Sequence, residues 1–201
     1  MKSLITSLTL LVALSLSVGT FAQGPEASPE HAILKKDVGT WDATMKFWMG
    51  PDGKADPTAQ PMESKGTETG RLVGEFWLIN DFKGDFGGMP FEGHGTTGYN
   101  PQAKKFQGSW VDSMNPFAMH MEGTYDEKTK TMTSMGKGVG MDGKETKSKS
   151  TVVYDGDNKR TMTMYELKTG TENEWVRSME IVYTRQAASA SAGGKSAAPK
   201  K

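Results

Sequence analysis

The sequence predicts an all-β protein: an antiparallel up-and-down β-barrel of about ten strands behind one short helix. Three observations predict it. From Gly39 onward, apolar and polar residues alternate at period two in segment after segment. Turn signals separate these segments at roughly 8–12-residue spacing. Glycine recurs inside them, at Gly93, Gly95, Gly98, Gly108, Gly123, Gly136 and Gly138. Glycine weakens a flat strand but permits the bends that closing a barrel requires. Closure also removes two exposed sheet edges, which favours a barrel over a sandwich.

The elements follow in order. Ser28 can cap a helix, Pro29 suits its first position, Ala32, Ile33 and Leu34 supply an apolar face, and Gly39 ends it. Trp41, Ala43, Met45, Phe47 and Met49 then alternate with polar residues, as one strand with a wet face does. Pro51-Asp52-Gly53 turns the chain into a polar loop that runs to Pro61. Residues 62–70 form a mostly polar strand. Glu75 to Phe82 is apolar on both faces, and Lys83 to Pro90 is read as a Gly-rich loop. Glu92–Tyr99 ends at the Asn100-Pro101 turn signal. Lys105–Asp112 places Phe106, Gly108 and Trp110 on one side, and Phe117–Tyr125 does the same with Phe117, Met119 and Met121. Residues 130–139, 144–154, 159–168 and 174–185 complete the meander.

The ends differ from this body. Lys2, the apolar run Leu4 to Leu16 and Thr20-Phe21-Ala22 read as a signal peptide over 1–22, cut after Ala22. An uncleaved anchor is the alternative, but the run is shorter than the ~20 residues a span needs. The chain is therefore expected to be exported, periplasmic or secreted, with no membrane span after cleavage. Residues 23–39 are a linker with the short helix, 40–185 the barrel, and 186–201 a disordered Ala/Ser/Gly/Lys tail. The 201 residues contain no Cys, so packing alone must stabilise the fold, and thiolate catalysis and zinc–thiolate sites are excluded. A formal net charge of zero argues against a nucleic-acid partner.

Leu34 followed by Gly39-Thr40-Trp41 resembles the opening of lipocalin-type barrels, a short helix and then Gly-x-Trp. The resemblance implies that Trp41 closes one end of the barrel and that an Arg from a late strand packs over it. Arg185 is the candidate and Arg177, of the same parity, the second choice. Such a contact is worth about 0.5–2 kcal/mol. The whole body also resembles a bacterial family known only as domain of unknown function 1579. The matching stretches are His31 to Trp41, Gly70-Arg71 through Trp77, Gly95-x-x-Gly98-Tyr99-Asn100, Trp110-Val111-Asp112-Ser113, Gly123-Thr124-Tyr125 and Tyr183-Thr184-Arg185. The family position at Asn100 is often Asp. This resemblance implies a lipocalin-like barrel and brings no activity, cofactor or catalytic residue with it.

The body carries 13 Met against four Leu. Parity groups Met119 with Met121, Met162 with Met164, and Met179 with Trp175 and Ile181. Unbranched thioethers adapt to varied apolar guests. The expected cavity is lined by Trp77, Phe106, Trp110, Met119, Met121, Met162, Met164 and Met179, and the expected partner is a small apolar or amphipathic molecule. A core that uses Met in place of Leu explains the same pattern without a ligand. Thr146, Ser148 and Ser150 alternate with Glu145, Lys147 and Lys149, and if those hydroxyls face inward the cavity is amphipathic. Met119-His120-Met121 invites copper(I), but strand alternation sends His120 to the opposite face from both methionines. No catalytic, cofactor or metal residue is assigned. Two alternatives remain: a hydrolase or isomerase using Asp112, His94 or His120, and a partner-binding envelope protein presenting Phe82, Phe86, Met89 and Phe91 as an apolar patch.

Overall fold

The computed structural model describes residues 26–140, 143–168 and 170–187. The expected leader at 1–22, and all but the first two residues of the expected tail, lie outside these described residues. A 3-10 helix spans Pro29–Asp37, opened by Pro at its first position and by the Ser28 N–H donating to His31 Nδ1 at 3.0 Å. Gly39, at φ 116°, redirects the chain into the sheet.

Ten strands follow: β1 (Gly39–Phe47), β2 (Met62–Val73), β3 (Trp77–Phe86), β4 (Met89–Asn100), β5 (Lys105–Asp112), β6 (Asn115–Asp126), β7 (Thr131–Val139), β8 (Glu145–Asp155), β9 (Lys159–Leu167) and β10 (Trp175–Arg185). Each pairs antiparallel with its neighbours in sequence, and β1 pairs with β10 to close the barrel. The closing register sets Trp41 opposite Arg185 and Phe47 opposite Met179. The barrel has two unlike ends. At the base, the helix packs on β2, β3 and β4 and sends Leu34 inward against Leu78 and Phe106. The mouth is formed by the β1–β2, β3–β4, β5–β6, β7–β8 and β9–β10 connections. Between them runs a core of Trp41, Ala43, Met45, Phe47, Phe82, Ile181 and Tyr183.

Two local readings change. Lys83 to Pro90 is not a loop. β3 and β4 run to Phe86 and from Met89, joined by Gly87-Gly88 at φ 61° and 89°. Two consecutive residues with positive φ make the tight turn whose twist suits a hairpin, which only glycine, Asn or Asp adopts readily. Phe82, Phe86 and Phe91 therefore point into the barrel, packed in or against the core, and only Met89 of the expected patch is exposed. In β10, a bulge between Arg177 and Met179 shifts the register against β9. Parity counted from Met179 therefore does not carry to Trp175 or Arg177.

Candidate ligand-binding cavity

The barrel is hollow. A cavity of about 400 Å3 lies between the core and the mouth. Its walls come from inward-facing side chains of all ten strands. Phe106, Trp110, Met119, Met121, Met162, Met164 and Met179 all line it, joined by Met45, Met114 and Met132. Trp77 does not. It is 39% exposed on the outer face, because its neighbour Leu78 and then Asn80 and Phe82 take the inward parity. Trp175 is likewise absent from the lining, on the far side of the bulge, and Phe117 is 43% exposed beyond the wall.

Trp110 is held on both sides. Its Nε1–H donates to Asp112 Oδ2 at 3.0 Å, and its ring lies over Gly93 and Gly95 of β4, where a Cβ on Gly93 would overlap the indole. Asp112 also accepts the Met114 N–H at 2.9 Å, which ties the β5–β6 turn to the same carboxylate. His94 and His120 are exposed on the outer face, His94 beside Asp81 with Nδ1 to Oδ1 2.7 Å. Asp112 faces the cavity, so no two of the three meet in one cleft, and the three residues Met119, His120 and Met121 do not converge.

The side formed by β7 and β8 is different, although Thr146 of β8 is exposed and outside the lining. Ser148 and Ser150 of β8 do face inward, and Ser134 of β7 joins them as the cross-strand partner of Ser150. The cavity is mainly apolar, with hydroxyls grouped on β7 and β8 and with Thr97, Gln107, Asp85 and Asp112 also in its lining.

The floor holds a charged cluster. Arg160 donates through Nη1 to Asp37 and through Nη2 to Glu68. Tyr154 donates to Asp37 at 2.9 Å, and Asn80 to Glu68 at 2.8 Å. The guanidinium lies 4.5 Å from the Trp41 ring centre and 4.3 Å from that of Tyr183. Burial works against the Arg160 charge, but Asp37 and Glu68 outweigh it and hold the group firmly cationic. Burial also pushes Glu68 above the usual carboxylate range, against the pull of Arg160. Beneath the floor, Arg185 sits 4.0 Å over the same Trp41 ring. It donates to the carbonyls of Lys36 at 2.8 Å and Asp157 at 2.7 Å, and to that of Val38. Trp41 Nε1–H donates to the Asp37 carbonyl at 3.1 Å. Arg177 instead stacks on Trp48, 3.7 Å from its ring centre. Arg160, Glu68 and Asn80 escaped the sequence reading. Arg160 shares its parity with Met162 and Met164, and that was the available signal.

A closed ten-stranded meander, based by a helix and an indole under a guanidinium and hollow above, is a lipocalin-like barrel. The chain belongs to the family described as "Protein of unknown function (DUF1579)", whose model matches residues 26–185. The crystal structure of Rv2717c from M. tuberculosis shares the fold at 15% identity and a TM-score of 0.59, over 81% of this chain and 100% of that one. The S-type phycobiliprotein lyase CPES from Guillardia theta shares it at 11% identity and a TM-score of 0.53, over 79% of this chain and 93% of that one. At these identities the likeness speaks for the fold alone. No curated protein matches the sequence. No helix among the described residues is long and apolar enough to cross a membrane.

Proposed function

We propose that this protein is an exported barrel that binds a small, largely apolar molecule inside its cavity and performs no chemistry on it. One observation carries the reading: the inward side chains enclose about 400 Å3 instead of meeting. That volume lies within the range of small-molecule sites, and an apolar wall with few polar groups is their usual lining. Eight of the 13 Met residues of the body line it. Their unbranched side chains let the wall adjust to a guest at small cost. The support for export is the amino-terminal sequence, and the S-type phycobiliprotein lyase offers a precedent of fold only.

The test uses the neutral fluorophore N-phenyl-1-naphthylamine. Val152 lies mid-wall, paired with Met132 and Met162. The fluorophore should bind the native protein and lose binding in Val152→Trp, whose indole fills the space, while the far-ultraviolet circular dichroism stays unchanged. Equal binding by a folded Val152→Trp variant would place the fluorophore elsewhere and remove the proposal. Native mass spectrometry of protein from its own host should show added mass that disappears on organic extraction.

A further inference from the structure

The polar groups of the cavity are specific about their guest. Ser150 and its cross-strand partner Ser134 line the wall, and neither hydroxyl has a hydrogen-bond partner among the described residues. Ser148, next along β8, donates only to Met119 Sδ at 3.5 Å, a weak acceptor. At the floor, the Arg160 side chain is 6% exposed and lines the same cavity, and its Nε–H has no partner. Unmet donors of this kind cost free energy unless a water or a ligand oxygen supplies the missing bond.

Charge narrows the choice. Both Arg160 Nη groups are already paired, with Asp37 and Glu68. A guest carboxylate would bring a third acid against one guanidinium, without a counterion. Glu68 in turn accepts from Arg160 and Asn80, and the other lining carboxylates also have donors, Asp85 from the Gly88 N–H and Asp112 from Trp110 Nε1–H and the Met114 N–H, so a guest ammonium would compete with protein donors already in place. The spacing sets length. Arg160 is paired with Tyr154, and Ser150 lies four residues further up β8. At 3.3 Å per residue the separation is about 13 Å. Met162, Met164 and Val152 fill the interval with apolar surface.

We infer that the cavity takes an uncharged, elongated apolar molecule bearing hydroxyl or carbonyl oxygens, one at its inner end for Arg160 and others along the edge that faces Ser134 and Ser150. This rests on the binding reading above and names its ligand class. The test compares four rod-shaped probes by isothermal titration with the intact protein: trans-stilbene, 4,4′-dihydroxystilbene, stilbene-4,4′-dicarboxylate and 4,4′-bis(aminomethyl)stilbene. The diol should bind most tightly. In Ser134→Ala/Ser150→Ala, an isosteric change at partly exposed positions, its advantage over the hydrocarbon should shrink about tenfold, the scale of one or two hydrogen bonds. The hydrocarbon should bind as well as before, or better. Three results would overturn the inference: the hydrocarbon binding the native protein best, either charged probe binding best, or the diol's advantage surviving the double substitution. If none of the four binds while N-phenyl-1-naphthylamine does, the ligand class is wrong and the binding reading stands. If nothing binds, both fall.

Discussion

Two arginines share Trp41, and they should differ sharply in what they contribute. Arg185 lies over the ring at the base and donates to main-chain carbonyls. Arg185→Met removes a cation–π contact and exchanges carbonyl partners for water, a loss of about 1–2 kcal/mol. Arg160 is buried between the Trp41 and Tyr183 rings and is the cation for both Asp37 and Glu68. Arg160→Met leaves two buried acids without a counterion, which costs about 3–5 kcal/mol. Urea denaturation midpoints check the order: Arg160→Met should fall well below Arg185→Met. Glu68 adds a pH dependence. Burial raises its pKa in the folded state, so between the ordinary carboxylate range and that raised value the native protein holds a proton there that the unfolded chain has released. Its contribution therefore weakens as pH rises from the ordinary carboxylate range through the raised value, and levels off above it. Glu68→Gln should remove this slope, so a plot of Tm against pH for the variant should run flatter over that interval. A variant that parallels the native protein would assign the titration elsewhere.

At the scale of the strand, side-chain parity is what the sequence states most clearly, and the cavity lining shows both its reach and its limits. Phe106, Trp110, Met119, Met121, Met162, Met164 and Met179 stand on inward faces because strand alternation puts them there. Trp77 breaks the pattern because Glu75 to Phe82 is apolar on both faces, so composition alone could not say which indole or phenyl ring faced in. The bulge before Met179 is invisible to a count of two, since it inserts one residue without any sequence mark. Glu68 and Asn80 were illegible for another reason, and Arg160 offered only its parity with Met162 and Met164. A charged residue between polar neighbours reads as outer surface, and only the partners brought in by β2, β3 and the helix make its burial tolerable. Gly93 belongs to this scale too. Gly93→Ala would force the Trp110 ring off β4 and into the cavity, since Asp112 still holds its Nε1–H. Fluorophore binding should drop at least about tenfold and the tryptophan emission maximum should shift, with thermal stability lowered by about 1–3 kcal/mol through overpacking.

For the whole molecule, the meander was legible and the hollow was not. Alternation and turn spacing specify a sheet with one dry face, and glycines let that sheet curl. Whether dry faces meet or stand apart depends on the summed volume of side chains across the barrel, which no local window contains. The base depends on both ends of the fold at once: the helix supplies Leu34 and Asp37, and β10 supplies Arg185 opposite Trp41. A chain beginning at residue 39 should consequently lose its cooperative thermal transition, whereas one ending at residue 187 should melt as the intact protein does. Differential scanning calorimetry distinguishes them.

The β1–β10 seam has a practical corollary. Residue 26 enters beside the helix, and Gln186 still bonds the Thr40 carbonyl, so the two leads leave from the plugged pole while the entrance lies at the other. A fusion partner joined directly at residue 26 or residue 187 would sit at the plugged pole and leave the opening uncovered.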